Sequence, residues 1–166
     1  MTHKPRLRIG HGFDLHRLEP GRRLIIGGIE LAHDRGCVAH SDGDVLFHAV
    51  VDSIFGALGL DDLGSVFPDS DPQWQGAGSG QFVKEAIRQA AQGGYAIGNL
   101  DATIVLQRPK VSPYKEQICR NLVSVLGCHR SQVNVKGKTH ELVDAIGQGD
   151  AISCHVVVLL EEQTIV

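Results

Sequence analysis

Aromatic side chains are scarce in this chain: 5% of 166 residues, with one Trp and two Tyr. The core must therefore rest on aliphatic and small side chains rather than on stacked rings. There is no excess of positive charge either. A net charge of −3 at pH 7 gives no support for a nucleic-acid partner, which needs a basic patch or stripe. It leaves room for a phosphorylated small molecule, because metal ions and a few placed lysines neutralise charge locally. The four cysteines, Cys37, Cys119, Cys128 and Cys154, include no CxxC pair. That excludes a zinc ribbon and offers no disulfide framework, so free thiols in a reducing compartment are expected. Long apolar runs are also missing. The longest, Val156 to Leu160, is far too short to span a bilayer, so no membrane partner is expected. The opening MTHKPRLRIG lacks a signal-peptide core, and a cytoplasmic protein is the expectation.

What is present is a chain that is 42% apolar, enough for a real core, with 20 glycines and nine histidines. The length suits a single domain over residues 1–166. Arg6 to Ile9 and Arg23 to Ile29 read as strands, the second with a bulge at Gly27-Gly28. Ser41-Asp42 offers an N-cap to a helix carrying Val45, Leu46, Ala49, Val50, Ile54 and Phe55, loosened or ended by Gly56 and Gly59. Asp61 to Gly80 reads as a long ordered loop, of the kind that is functional or disordered. A second helix runs from Ser79 or Gly80 to Ala91, Leu100 to Leu106 is a strand, and Pro109-Lys110 a turn. Ser112 and Pro113 cap a third helix, Tyr114 to Leu126, closed at Gly127. Val133 to Val135 and Ile152 to Leu160 are the last strands. This order predicts an α/β (α+β) sandwich: a mixed β-sheet with helices packed on one face.

Five groups of residues carry candidate chemistry. The segment Gly10-His11-Gly12-Phe13-Asp14-Leu15-His16 follows a strand end, and in extended chain Asp14 and His16 point the same way. The helix after Ala39-His40-Ser41-Asp42-Gly43-Asp44 carries His48, with Asp44 and Asp52 on the same helical face. Those two carboxylates are candidate partners for the second ring nitrogen of His48. Asp14, His16 and His48 form a three-ligand set, the number expected of a catalytic zinc with one open position. The string Gly64-Ser65-Val66-Phe67-Pro68-Asp69-Ser70-Asp71 fits either a substrate loop or Asx-capped turns. Gln107-Arg108-Pro109-Lys110 is a basic turn at a strand end. Val135-Lys136-Gly137-Lys138-Thr139-His140-Glu141 offers cations, a hydroxyl and an acid, which suits phosphates and a hard cation but also a solvated strand end.

The wording and order of GHGFDLH, AHSDGD with FHA, LGSVFPDSDP, QRPK and VNVKGKTHE resemble the cyclodiphosphate synthases of the non-mevalonate isoprenoid pathway, from about Arg8 to Leu160. The resemblance implies a homotrimer with active sites at the subunit interfaces, acting on 4-diphosphocytidyl-2-C-methyl-D-erythritol 2-phosphate. It implies that Asp14, His16 and His48 hold Zn2+, and that Glu141 holds a second divalent ion, Mg2+ or Mn2+. It implies transition-state roles for His40 and Thr139, with Glu141 counted as catalytic. Ser41, Asp62, Leu63, Gly64, Phe67, Pro68, Asp69, Ser70 and Asp71 fall where the family binds erythritol and ribose. Leu106, Lys110, Val111 and Ser112 fall where a neighbouring subunit holds the cytidine diphosphate, and Leu15, Lys138 and His140 complete the substrate-binding set. Many members carry consecutive threonines where this chain has Lys138 and His140 around Thr139. Many also carry Gly-Arg where this chain has Gly147-Gln148, and Gln148 lacks the charge to bind a phosphate on the threefold axis. The KTHELVDAIG wording is similar to a plant-type subgroup, although no transit peptide is recognised.

The reaction so implied is an intramolecular phosphoryl transfer that releases CMP and needs positioning and charge neutralisation more than covalent chemistry. A metal-dependent phosphohydrolase, or a non-catalytic zinc- or nucleotide-binding module, are the competing readings of the same residues.

Overall fold

The computed structural model describes residues 4–68 and 70–163. Strand β1, Leu7–Pro20, is much longer than the Arg6–Ile9 segment expected, so the DLH motif lies mid-strand. Gly10 and Gly12 read as weak strand formers, yet they are required here. A Cβ at Gly10 would stand 1.8 Å from the Ser53 carbonyl oxygen, and one at Gly12 1.8 Å from that of Ala49. Only bare backbone lets the overlying helix approach so closely.

Strands β2, Leu24–Ile26, and β3, Ile29–Leu31, form an antiparallel hairpin, not one bulged strand. Gly27 and Gly28 sit at φ 60° and 74°, both left-handed, as a tight two-residue hairpin turn demands. A short β4, Arg35–Cys37, unanticipated by pattern, precedes helix α1, Val45–Leu58. The N-cap of α1 is Asp44, not Ser41-Asp42, and the helix continues through Gly56 to stop at Gly59. The expected long loop holds a short helix α2, Leu63–Val66, and a single 3-10 turn, Pro72–Trp74.

Helix α3, Gly80–Gln92, is followed by β5, Tyr95–Val105, which begins earlier than expected and has a register irregularity between Ile97 and Asn99. A 3-10 turn at Ser112–Tyr114 leads into α4, Lys115–Leu126, ended by Gly127. Then come β6, Val133–Lys138, a short α5, Asp144–Gly147, not foreseen in the sequence, and β7, Ala151–Glu162.

Five strands form one mixed sheet in the order β4-β1-β7-β5-β6, with β5 and β6 parallel and the other neighbours antiparallel. The fold is thus α+β, with a mixed sheet as expected. Alternation along the strands buries Ile152, Cys154, Val156, Val158 and Leu160 of β7 beneath the helices. The opposite face of the sheet is left bare. Leu7, Ile9, Phe13, Leu15 and Val157 are 58, 73, 47, 51 and 45% exposed there. All four cysteines are free, and burial pushes the Cys37 thiol up to about 12.

Candidate metal centre and anion cavity

Period-two alternation in β1 turns Asp14 and His16 toward α1, and the first turn of α1 brings His48 to meet them. His48 is 8% exposed. Three atoms converge: Asp14 Oδ2 lies 2.9 Å from His48 Nδ1 and 3.0 Å from His16 Nε2, and the two nitrogens are 3.2 Å apart. Ligands of a tetrahedral zinc, at about 2.0–2.1 Å from the ion, stand roughly 3.3 Å from one another. The triangle therefore needs little adjustment to hold a metal ion, and the set meets the geometric requirement for one.

Electrostatics prepare Asp14 and His48 for the same task. Burial alone would raise the Asp14 carboxyl, but hydrogen bonds and charge from His16 and His48 hold it far below the usual carboxylate range. Burial would lower His48, and the Asp14 carboxylate outweighs it, so His48 is raised. The far nitrogen of His48, Nε2, lies 2.9 Å from Ser79 Oγ and 3.1 Å from Ser41 Oγ. Ser79 donates its hydroxyl to Asp42 and its amide N–H to Asp42 Oδ2 at 2.9 Å, so its oxygen is left to accept from His48. That chain puts the imidazole proton on Nε2 and aims the Nδ1 lone pair at the metal position.

Asp44 and Asp52 do not play the part expected of them. The Asp44 carboxylate accepts from the amides of Leu46 and Phe47 as a helix cap and from Gly27 and Gly28 across the hairpin turn. Asp52 accepts from Leu63 N at 2.8 Å. The partners of His48 are serines, one of them 31 residues away, and no local pattern pointed to Ser79.

A cleft of about 290 Å3 opens over the triangle, lined by Asp14, His16, His40, Ser41, His48, Leu63, Gly64 and Phe67, with Trp74 and Phe82 as additional walls. His40 Nε2 and Trp74 Nε1, on two of these lining residues, are buried without a hydrogen-bond partner. Leu15 departs from the expected set, since its side chain points to the bare face, while its amide donates to Asp14 Oδ1 at 2.9 Å. Asp62 caps α2 through Ser65 N, and Asp71 caps the 3-10 turn through Gln73 N, while Gly64 and Phe67 of the same stretch line the cleft. Pro68 is half-buried and Ser70 exposed, outside the cleft wall, and Asp69 lies outside the described residues.

The second group forms its own cavity of about 530 Å3, lined by Leu106, Lys110, Val111, Ser112, Lys138 and Thr139, together with Gln107, Lys115, Val135, Lys136 and Gly137. Lys110, Lys115 and Lys138 on the wall of one apolar-floored cavity suit an anionic ligand with a flat apolar part, whereas the Lys136 ammonium is paired with Asp101. Thr139 donates to Glu141 Oε1 at 3.0 Å, placing that carboxylate beside the cavity. His140 turns away to Asp144, 2.7 Å from its Oδ2. Glu141, Leu142 and Asp144 all have left-handed backbone, φ 49°, 64° and 61°, a concentration of unusual conformations typical of functional loops. Among the described residues the metal cleft and the lysine cavity share no lining residue.

Comparison with known proteins identifies the family and the fold. The model of the YgbB family matches residues 7–161. The chain is 65% identical over 153 residues to the chloroplastic 2-C-methyl-D-erythritol 2,4-cyclodiphosphate synthase of Arabidopsis thaliana, covering 92% of this chain. It spans 66% of that relative's length. It is 46% identical over 157 residues to the synthase of the same name from Geobacter metallireducens, covering 95% of this chain and 100% of the relative. Among solved structures, the IspF of Plasmodium falciparum in its CDP complex superposes with a TM-score of 0.85 at 37% identity, covering 95% of this chain and 97% of that one. The bifunctional IspDF of Campylobacter jejuni gives 0.91 at 32% identity, covering 95% of this chain and 42% of that one. No described helix is long and apolar enough to cross a membrane.

Proposed function

The chain belongs to the YgbB family, and from that premise we propose that it acts as one cyclodiphosphate synthase domain in isoprenoid precursor biosynthesis. The substrate is 4-diphosphocytidyl-2-C-methyl-D-erythritol 2-phosphate. An oxygen of its 2-phosphate bonds to the β-phosphorus, the bridge to the α-phosphate breaks, and CMP leaves with the bridging oxygen. The product is 2-C-methyl-D-erythritol 2,4-cyclodiphosphate. The observation that carries this reading is the Asp14–His16–His48 triangle at the floor of a cleft with an unpartnered His40 nitrogen.

Zn2+ is the ion assigned to Asp14, His16 and His48, and Glu141 is assigned Mg2+ or Mn2+; such ions supply Lewis acidity and charge neutralisation to phosphate oxygens. The remaining work falls to the chain. Ser79 and Ser41 fix the tautomer of His48. His40 donates its free Nε2–H to a phosphate oxygen and so fixes the angle of attack. Lys110 and Lys138 neutralise the diphosphate, and Val111 with Leu106 offers an apolar wall to the cytosine. Thr139, whose hydroxyl donates to Glu141 in the free chain, would turn that donor to the departing phosphate once a cation holds the Glu141 carboxylate. No general base is required, because the attacking phosphate is already an anion.

The working assembly is a homotrimer with the site shared between neighbours. Two observations support this: the metal cleft and the lysine cavity are separate on one chain, and the sheet leaves a broad apolar face uncovered. A cytoplasmic location is part of the same proposal and rests on the free cysteines. A product assay on the cytidyl substrate tests the function. Cyclic diphosphate plus CMP is expected, whereas linear hydrolysis products would make the chain a phosphohydrolase and no turnover would make it a binding module.

A further inference from the structure

On the bare face of the sheet, β1 and β7 place two histidines side by side. His11 is in register with Val157 and Phe13 with His155, so the two imidazoles are diagonal neighbours on adjacent strands, within reach of each other. Their nitrogens, His11 Nε2 and His155 Nδ1, are 3.3 Å apart. A good N–H hydrogen bond is shorter, at about 2.9–3.0 Å. Two imidazole nitrogens bound to one tetrahedral transition-metal ion at about 2.0–2.1 Å stand roughly 3.3 Å apart. The rings are arranged to keep that spacing. Their centroids are 5.6 Å apart with planes inclined by 28°, and the Phe13 ring packs on His155 at 4.8 Å.

The metal centre on the other face of β1 has the same signature. There, too, a β1 histidine offers Nε2 to a neighbour's Nδ1, His16 to His48, at 3.2 Å. The odd-numbered side of the strand repeats what the even-numbered side does, without the carboxylate. Asp101, in the row of His11 two strands away, is already held by Asn134 and Lys136.

We propose that His11 and His155 form a second metal site, taking a borderline dication of the zinc and copper class, for which imidazole is a preferred ligand. Two protein ligands leave two positions for water or for groups of the neighbouring subunits that the proposed assembly brings to this face, so this site binds more weakly than the three-ligand centre. It is distinct from the catalytic cleft, because the two lie on opposite faces of the same strand, and it does not depend on the reaction assigned above.

The test uses the whole protein, first loaded with one equivalent of zinc per chain and then titrated with further zinc by equilibrium dialysis. Wild type is expected to take up zinc beyond the first equivalent with at least tenfold weaker affinity. His11→Ala and His155→Gln should each abolish that uptake while keeping the first equivalent. The proposal is overturned if wild type binds no zinc past the first equivalent, or if either variant binds like wild type.

Discussion

Side-chain chemistry at the metal centre can be separated into ligands and the groups that orient them. His48→Ala removes one of three ligands and should lose most bound zinc, measured by metal analysis of purified protein. Ser79→Ala keeps every ligand but leaves His48 Nε2 with Ser41 alone. Loss of such an orienting partner typically costs about 10- to 100-fold in metal affinity, so competition with a chelator should place this variant between wild type and His48→Ala. Glu141 poses a different question. A carboxylate beside this lysine cavity would repel the diphosphate substrate proposed above unless a cation lies between them. Glu141→Gln keeps the size and removes the charge, so it should retain zinc and cytidine binding yet lose most turnover. Normal turnover of that variant in Mg2+-free buffer would show that zinc alone carries the reaction. The sequence displayed Asp14, His16 and His48 because strand and helix periods are short-range rules. It misled on Asp44 because a carboxylate at a helix start has a competing use as a cap, and it hid Ser79 because that contact closes over 31 residues.

At the level of elements, the metal centre exists only because α1 lies directly on β1. The expected end of β1 near Ile9 was wrong for an instructive reason. Gly10 and Gly12 have poor strand propensity, and pairing with β7 over Leu7 to Arg17, together with the approach of α1, overrides it. The same tertiary override lengthens β5 past its early glycine, whereas α3 and α4 were legible because their apolar faces repeat at helical spacing and α4 ends in a left-handed glycine. A methyl group at Gly12 would meet the backbone of Ala49, next to His48, and backbone cannot step aside as a side chain can. Gly12→Ala should therefore separate α1 from β1, destabilising the fold by about 3 kcal/mol or more, beyond ordinary overpacking of about 1–3 kcal/mol. It should weaken zinc binding in the same preparation, although no ligand has changed. The control is Gly56→Ala inside α1, where the nearest atom to a new Cβ is 3.8 Å away. Helix propensity predicts a gain of up to about 1 kcal/mol there, with zinc binding unchanged. Thermal unfolding paired with metal analysis reads both effects, and equal behaviour of the two variants would refute the close-approach argument.

For the molecule as a whole, the arrangement of its two cavities makes a statement about assembly. One chain carries a metal cleft with an unpartnered His40 nitrogen, and a lysine cavity with Thr139 and Glu141 at its rim, but the two share no wall among the described residues. If the substrate spans both, its phosphates come to the metal cleft of one subunit while its cytidine sits in the lysine cavity of the next. A ring closed by such head-to-tail contacts repeats one interface three times, and every active site then draws on two chains. This can be tested with two variants that are each inactive, His48→Ala, which spoils the cleft, and Glu141→Gln, which spoils the cavity rim. In mixed trimers formed by co-expression, some interfaces combine the intact cleft of one variant with the intact rim of the other. Random assembly of equal amounts gives about a quarter of the interfaces both good halves, so activity should recover to roughly 25% of wild type. Separately purified variants, mixed without subunit exchange, should stay inactive. A site built within one chain gives no such recovery, because every chain in the mixture carries one damaged half. Mixed trimers that form, as shown by two affinity tags on one complex, and yet stay inactive would therefore place the whole site in a single subunit and leave the bare sheet face as its only contribution to assembly.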